Sequence, residues 1–370
     1  MRCWDRMILE HIKEIPMLIS LPDRIGQSAG MTLIAISCFA HSAVQSAPAD
    51  VSFSVVQRWT LGGAGGWDYL TLDAAGNRLF VSRSTRVDVV DTRSGKVVGT
   101  IQNTNGVHGI ALAEDLGRGY TSNGRADSVT VFDLATLKTL KEAQIPGHNP
   151  DAILYEPSGK HIWTFNGRSK DVTVLDAESL KVVRTLSVPD KPEFAVDDGE
   201  GRIFVNIESE AGQLVVLDAK QLTIRATWML PGCASPSGLA IDKTHHRLFS
   251  VCDKKVMAVT DAVSGRQIAQ LTIGEGPDAA AYDAKRGLVF SSNGDGTLSV
   301  FHQETPDRYQ MVQSVTTQRG ARTMALDSAS EKVYLVSADF DAPPAPTPEQ
   351  PHPRPMPAPQ TFTVLTVGPR

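Results

Sequence analysis

The chain has 370 residues, about 41% of them apolar, and 36 basic against 41 acidic side chains give a formal net charge of −5. That is enough apolar material for a sizeable core, while the mildly acidic balance excludes broad electrostatic capture of nucleic acid and leaves only a local basic patch as a route to it.

The first element is the apolar stretch MTLIAISCFA (31–40), too short to span a bilayer and about as long as the apolar region of an export signal. Small residues follow, with Ala47-Pro48-Ala49 and Val44-Gln45-Ser46 as cleavage candidates. Residues 1–49 are therefore read as a signal peptide of uncertain start, with Met17 and Met31 as alternative first residues. The expected location is the periplasm or the exterior. Removing this segment takes away Cys3 and Cys38 and leaves Cys233 and Cys252. In an oxidising compartment an even pair suggests a disulfide closing a short loop, and two buried thiols are the alternative.

From residue 50 onward one pattern repeats. An acid ends a strand-like run, and a bulky residue follows six or seven positions later. The acids are Asp73, Glu114, Glu156, Asp197, Asp242, Asp283 and Asp327, spaced 41 to 45 residues apart. A second landmark tracks the first: VDVVD to Asp91, VTVFD to Asp133, VTVLD to Asp176, LVVLD to Asp218 and MAVTD to Asp261, with weaker copies at His302 and Thr366. Each copy reads as four strands with period-2 alternation and β-branched enrichment in the third. A single four-stranded unit cannot cover both of its faces, whereas radial stacking does. The expected fold is all-β, a seven-bladed β-propeller of four-stranded antiparallel blades spanning 50–370. The last copy lacks a fourth strand, and FSVVQRWTL (53–61) supplies it from the other end of the chain, leaving no open edge.

The copies PDAILYEPSGKHIWTFNGRSKDVTVLDAESLKVVRTLSV and PDAAAYDAKRGLVFSSNGDGTLSVF resemble the YVTN-type repeat of the YncE family of β-propellers. No copy carries the full Tyr-Val-Thr-Asn tetrapeptide. The resemblance implies an exported propeller that binds a ligand or a macromolecular partner at its tunnel mouth. Related propellers include a single-stranded DNA binder, lactonases and surface-layer proteins.

In such a ring the first strand of each blade begins on the face where the second ends. Asp68, His108, Asp151, Glu193, Ser237, Asp278 and Arg322 lead the first strands, with His148 and Arg319 in the loops before them, and Asn123, Asn166, Asn206 and Asn293 close the second strands. The expected ligand site joins Asp68, His108, Asp151, Glu193, Asp278 and Arg322 with Asn123, Asn166 and Asn293. The plainer reading makes the asparagines turn residues and the acids caps of backbone amides. Crowded acids with His108 could hold a divalent metal ion by oxygen ligands. A lactonase-type hydrolase would use that ion to polarise a carbonyl, with Asp151, Glu193 or His108 as catalytic candidates. No H-x-H, C-x-x-C or HExxH spacing supports an enzyme directly. Arg125, Arg168 and Lys170 offer a basic rim, and Trp67, Tyr69 or Trp163 a stacking surface, so single-stranded DNA is a third candidate partner beside a small molecule or an envelope protein. A monomer is expected. The Pro-rich insertion DAPPAPTPEQPHPRPMPAPQ (341–360) falls in the seventh blade. It is either a tether or a stiff strap that brings Glu349, His352 and Arg354 over the mouth.

Overall fold

Seven four-stranded antiparallel sheets make up the computed structural model, each in the simple order first, second, third, fourth. The ring is a seven-bladed β-propeller. Residues 52–343, 347 and 355–370 are described. The export segment, Cys3 and Cys38 lie outside them, as do Glu349, His352 and Arg354 of the insertion.

Blade 3 shows the unit. Its strands are Pro150–Glu156, His161–Asn166, Asp171–Asp176 and Val182–Ser187. The second and third are buried almost throughout, because blades cover them on both faces, and they read as apolar runs with Thr at the remaining positions. The fourth is largely exposed at the rim. Between neighbouring blades the core is continuous, as where Trp163, Phe165 and Val174 meet Ile203, Val205 and Val215.

The repeated acids hold the turns. Asp73 accepts the Gly76 N–H at 2.8 Å and the Arg78 guanidinium at 2.6 Å, and Glu156, Asp242, Asp283 and Asp327 accept from amides two or three residues on. Blade 4 differs from expectation by one residue. Asp198, not Asp197, accepts the amides of Glu200 and Arg202, while Asp197 pairs with Lys243 of blade 5 at 3.0 Å. At the ends of the third strands, Asp91, Asp133, Asp176, Asp218 and Asp261 accept turn amides in the same way. Blade 6 has His302 at that position and gains no such tight turn. Its third and fourth strands run on to nine residues each, Thr297–Thr305 and Arg308–Thr316.

Blade 7 joins the two ends of the described propeller. Its order is Met324–Asp327, Lys332–Ser337, Thr363–Pro369, then Phe53–Thr60. Phe53 faces Pro369 and Thr60 faces Thr363. Trp59 on this closing strand lies over Gly95 of blade 1, where φ is +70° and any Cβ would collide with the indole. Blades are further stapled on the face opposite the mouth. Arg78 and Arg202 donate to the carbonyls of Leu134 and Ala262 in the next blade, each at 2.6 Å.

Candidate functional site

What aims side chains at the axis is a local irregularity in the strand ladder. In blade 2, Val107 faces Asn123 and Ile110 faces Thr121, so His108 and Gly109 stand opposite Ser122 alone. The same shift frees Asp151 in blade 3, Glu193 in blade 4 and Asp278 in blade 6. Such bulges take a residue out of pairing and turn its side chain. In blades 3, 4 and 6 a proline comes immediately before the acid, as the first residue of the strand in blades 3 and 6 and the second in blade 4, where its missing N–H costs little. Asp68, Ser237 and Arg322 precede the shorter four-residue or delayed first strands of blades 1, 5 and 7.

Serines that close the second strands fix these leading residues. Ser122 accepts the Gly109 N–H at 2.9 Å and donates to the Asp151 carbonyl of the next blade. Ser292 does the same for the Arg322 carbonyl, and Ser82 accepts the Asp68 N–H at 3.1 Å. Nothing in the sequence reading marked these serines, although the recurrent Ser-Asn pair at positions 122–123 and 292–293 is their signal.

The arrangement brings the expected acids and bases together. His108 Nδ1 lies 2.5 Å from Asp68 Oδ2 and 3.7 Å from Asp151 Oδ1. Gly124 makes room for this imidazole, since a Cβ there would lie 2.7 Å from the ring. Lys191 bridges Glu193 at 2.6 Å and Glu208 at 2.5 Å, and Arg322 pairs with Asp278 at 3.2 Å. Neither Lys191 nor Glu208 was among the expected site residues. They are cross-strand partners at the open end of blade 4, a pairing that only the register reveals. Ser237 is spent structurally, donating to the Pro277 carbonyl at 3.1 Å.

Below the ring, Tyr69 of blade 1 reaches across to blade 4. Its hydroxyl donates to the Glu193 carbonyl at 3.3 Å, and its ring stacks on Phe194 at 5.4 Å. Burial, with the surrounding carboxylates of Asp151, Glu193, Asp68 and Asp278 adding to it, pushes this phenol well above its ordinary value, so it stays a donor. It floors the mouth rather than offering a face to a base.

Electrostatics follow from crowding in a half-dry cleft. Burial raises Asp151 to about 6, opposed by His108 and helped by Asp68. Burial raises Asp278 to about 7 against the pull of Arg322. Glu193 is pushed well above the usual carboxyl range by burial and by Asp151, against the pull of Lys191. For His108 burial favours the neutral ring, but the Asp68 hydrogen bond and the two aspartate charges together raise it.

The asparagines require a correction. Asn123, Asn166, Asn206 and Asn293 are wholly buried. Asn123 donates to Ser128 and Thr130, Asn166 to Asp171 and Thr173, and Asn293 to Thr297 and Ser299. They latch the second strand to the third and turn no exposed atom to the mouth. Asn206 instead binds the Ser237 and Gly238 carbonyls of blade 5. Trp163 is also fully buried, and Lys170 is paired with Asp190 at 2.7 Å, so neither forms part of an open stacking or phosphate surface. His148 is held by Asp127 at 2.8 Å. Cys233 and Cys252 are joined as a disulfide with Cα atoms 5.2 Å apart. That bond ties the loop before blade 5 to the end of its second strand.

Solved structures with the same architecture include Kuenenia stuttgartiensis hydrazine synthase, at 17% identity over 73% of this chain and 92% of that one, with a TM-score of 0.65. They also include U3-55K, at 10% identity over 85% of this chain and 99% of that one, with a TM-score of 0.69. The likeness is one of fold alone. No family model matches the sequence, and no curated protein does.

Beside the ring a cavity of about 480 Å³ opens between blades 6, 7 and 1. Trp67, Phe340, Pro355 and Pro357 form its apolar wall, and Asp68, Arg319 and Arg322 its charged edge. Trp67 packs against Phe340 and Phe362, with ring centres 6.1 and 5.3 Å away. The two feet of the Pro-rich insertion are zipped together beside this wall. Phe340 bridges Pro357, Asp341 donates to the Met356 carbonyl at 2.9 Å, and Ala358 donates to that of Asp339 at 2.7 Å. The glycine-rich loop on the other side is held by Arg83, fully buried over the Phe362 ring at 3.6 Å and donating to the carbonyls of Gly62, Gly63, Ala64 and Gly65.

Proposed function

We propose that this chain is an exported binding propeller of the YncE-like, YVTN-repeat type, whose tunnel-mouth face takes a small organic anion with an apolar body. The observation that carries the reading is the cavity between Trp67, Phe340 and the prolines, edged by Arg319 and Arg322. Concave, mostly apolar sites with a few convergent polar groups are where propeller loops take small ligands. Arg319 is exposed and makes no ion pair among the described residues, so its planar fork is free to grip a carboxylate. A panel of aromatic and aliphatic carboxylates, with the matching amines and amides, titrated against tryptophan fluorescence tests this. Carboxylates should bind, and Trp67→Ala and Arg319→Glu should each weaken them at least tenfold. Equal binding of amides, or indifference to both substitutions, would remove the reading.

A metal-assisted hydrolase on the same face is a second reading, favoured by the Asp68–His108–Asp151 cluster. Turnover of lactones or esters, lost in Glu193→Gln, would establish it. Its absence across a broad panel would leave binding alone.

A further inference from the structure

We infer that Asp68, His108 and Asp151 form a binding site for one first-row divalent cation such as Zn²⁺. The inference deepens the reading of the mouth as a ligand site and rests on it. Three donor atoms, one from each residue, lie within 4.8 Å of one another. They come from three successive blades, so no local sequence motif could announce them.

Proximity of acids alone would not suffice. The decisive feature is the Asp151 carboxylate. Its side chain is only 9% exposed, yet it accepts no hydrogen bond from any described residue. The one cation within 4 Å is His108 at 3.7 Å, and that imidazole is already engaged by Asp68 at 2.5 Å. Lys191, the next positive charge, is clamped between Glu193 and Glu208. A carboxylate this little exposed, with one shared base as its only ion pair, is a strong acceptor for a further cation.

Charge balance points the same way. Asp68, Asp151, Glu193, Glu208 and Asp278 face Lys191, Arg322 and His108. Fully ionised, the five acids would outnumber the three bases by two even with the imidazole protonated. A divalent ion in place of the imidazolium proton reduces that excess. His108 would ligate through Nδ1 as the neutral ring, with one oxygen each from Asp68 and Asp151. Imidazole with two carboxylates suits Zn²⁺ or Mn²⁺ better than Ca²⁺, which prefers oxygen alone. Asp68, with a side chain 28% exposed, has room to move the ~0.8 Å that opens the 2.5 Å contact to the ligand spacing of a tetrahedral metal. The backbone on either side is held by Ser82 and Ser122. The side of the cluster facing the mouth stays open for water or for the head group of a bound anion.

The test uses the tag-free propeller, stripped with chelator and titrated calorimetrically with Zn²⁺ alone. One equivalent should bind. Asp151→Asn and Asp68→Asn should each weaken it by tenfold or more, while Glu210→Gln, an exposed carboxylate outside the ring, should stay within threefold of the parent. Thermal unfolding in chelator checks that each variant folds. If buried Asp151→Asn does not, the more exposed Asp68→Asn decides. No stoichiometric binding at 0.1 mM Zn²⁺, or binding indifferent to the aspartate substitutions, overturns the site. Trp67→Ala should keep the metal. Failure of the parent protein to bind any carboxylate while it still binds Zn²⁺ would therefore count against the cavity and not against this cluster.

Discussion

At the level of single residues, the mouth concentrates charges that a folded chain normally separates. Asp278 shows the thermodynamic result. Its carboxyl titrates at about 7, raised first by burial, with Asp68, Asp151 and Glu208 adding and Arg322 opposing. A carboxyl raised on folding contributes its stability in full below its ordinary value and loses it as pH climbs through the folded value. The melting temperature, measured in chelator, should therefore fall between about pH 4 and pH 7, and Asp278→Asn should flatten part of that fall by a few degrees. Identical profiles for the two proteins would show that Asp278 is ionised without cost. The serines beneath the ring act differently. Ser122 is fully buried and serves two blades at once, accepting from Gly109 and donating to Asp151. What looks like a turn residue is the spacer that sets the distance between His108 and Asp151.

At the level of elements, the legible part of the sequence was the period. Seven acids at intervals of 41 to 45 residues mark the blades, because most of them collect the amides of the turn they begin; Glu114 instead opens the 3-10 turn Glu114–Leu116, which its backbone carbonyl closes. Asp197 shows the limit of that logic. Adjacent aspartates leave the choice between them to the register of blade 4, and Asp198 takes the turn. The first-strand candidates were legible for a related reason, since each takes the same place in the repeat, just ahead of the first apolar run. Lys191 and Glu208 were not, because their partnership is made across the sheet. Asn166 was misread because buried amide and exposed amide look alike in sequence, and only the position of Thr173 decides between them. The loop 61–66 is a further element whose order comes from elsewhere. Arg83, brought down to about 10 by burial, holds its carbonyls and so sets Trp67 and Asp68. Arg83→Met should cost at least about 2 kcal/mol through the carbonyls left without a donor and should make Trp67 more quenchable by acrylamide. A variant as stable and as shielded as the parent would mean that the loop holds itself.

For the molecule as a whole, blade 7 is the joint. Its outermost strand, Phe53–Thr60, comes from the other end of the propeller and covers Thr363–Pro369, where six consecutive residues are buried. Deleting residues 52–60 should uncover that strand, lower the melting temperature by more than 10 °C and promote association through the new edge. Linking residues 52 and 370 and opening the chain at the exposed turn Arg93–Ser94 should instead preserve it, since the Arg370 amide already donates to the Ser52 carbonyl at 2.9 Å. If the deletion melts like the parent, closure is not what holds the circle together.

Closure also bears on selectivity. A hoop of seven wedges, each leaning on two others, has an aperture set by arithmetic, and no hinge is available to widen it. What can still swivel there is the guanidinium of Arg322, its side chain 55% exposed, and that of exposed Arg319. Changing what the mouth admits would call for exchanging those few groups while leaving the backbone alone.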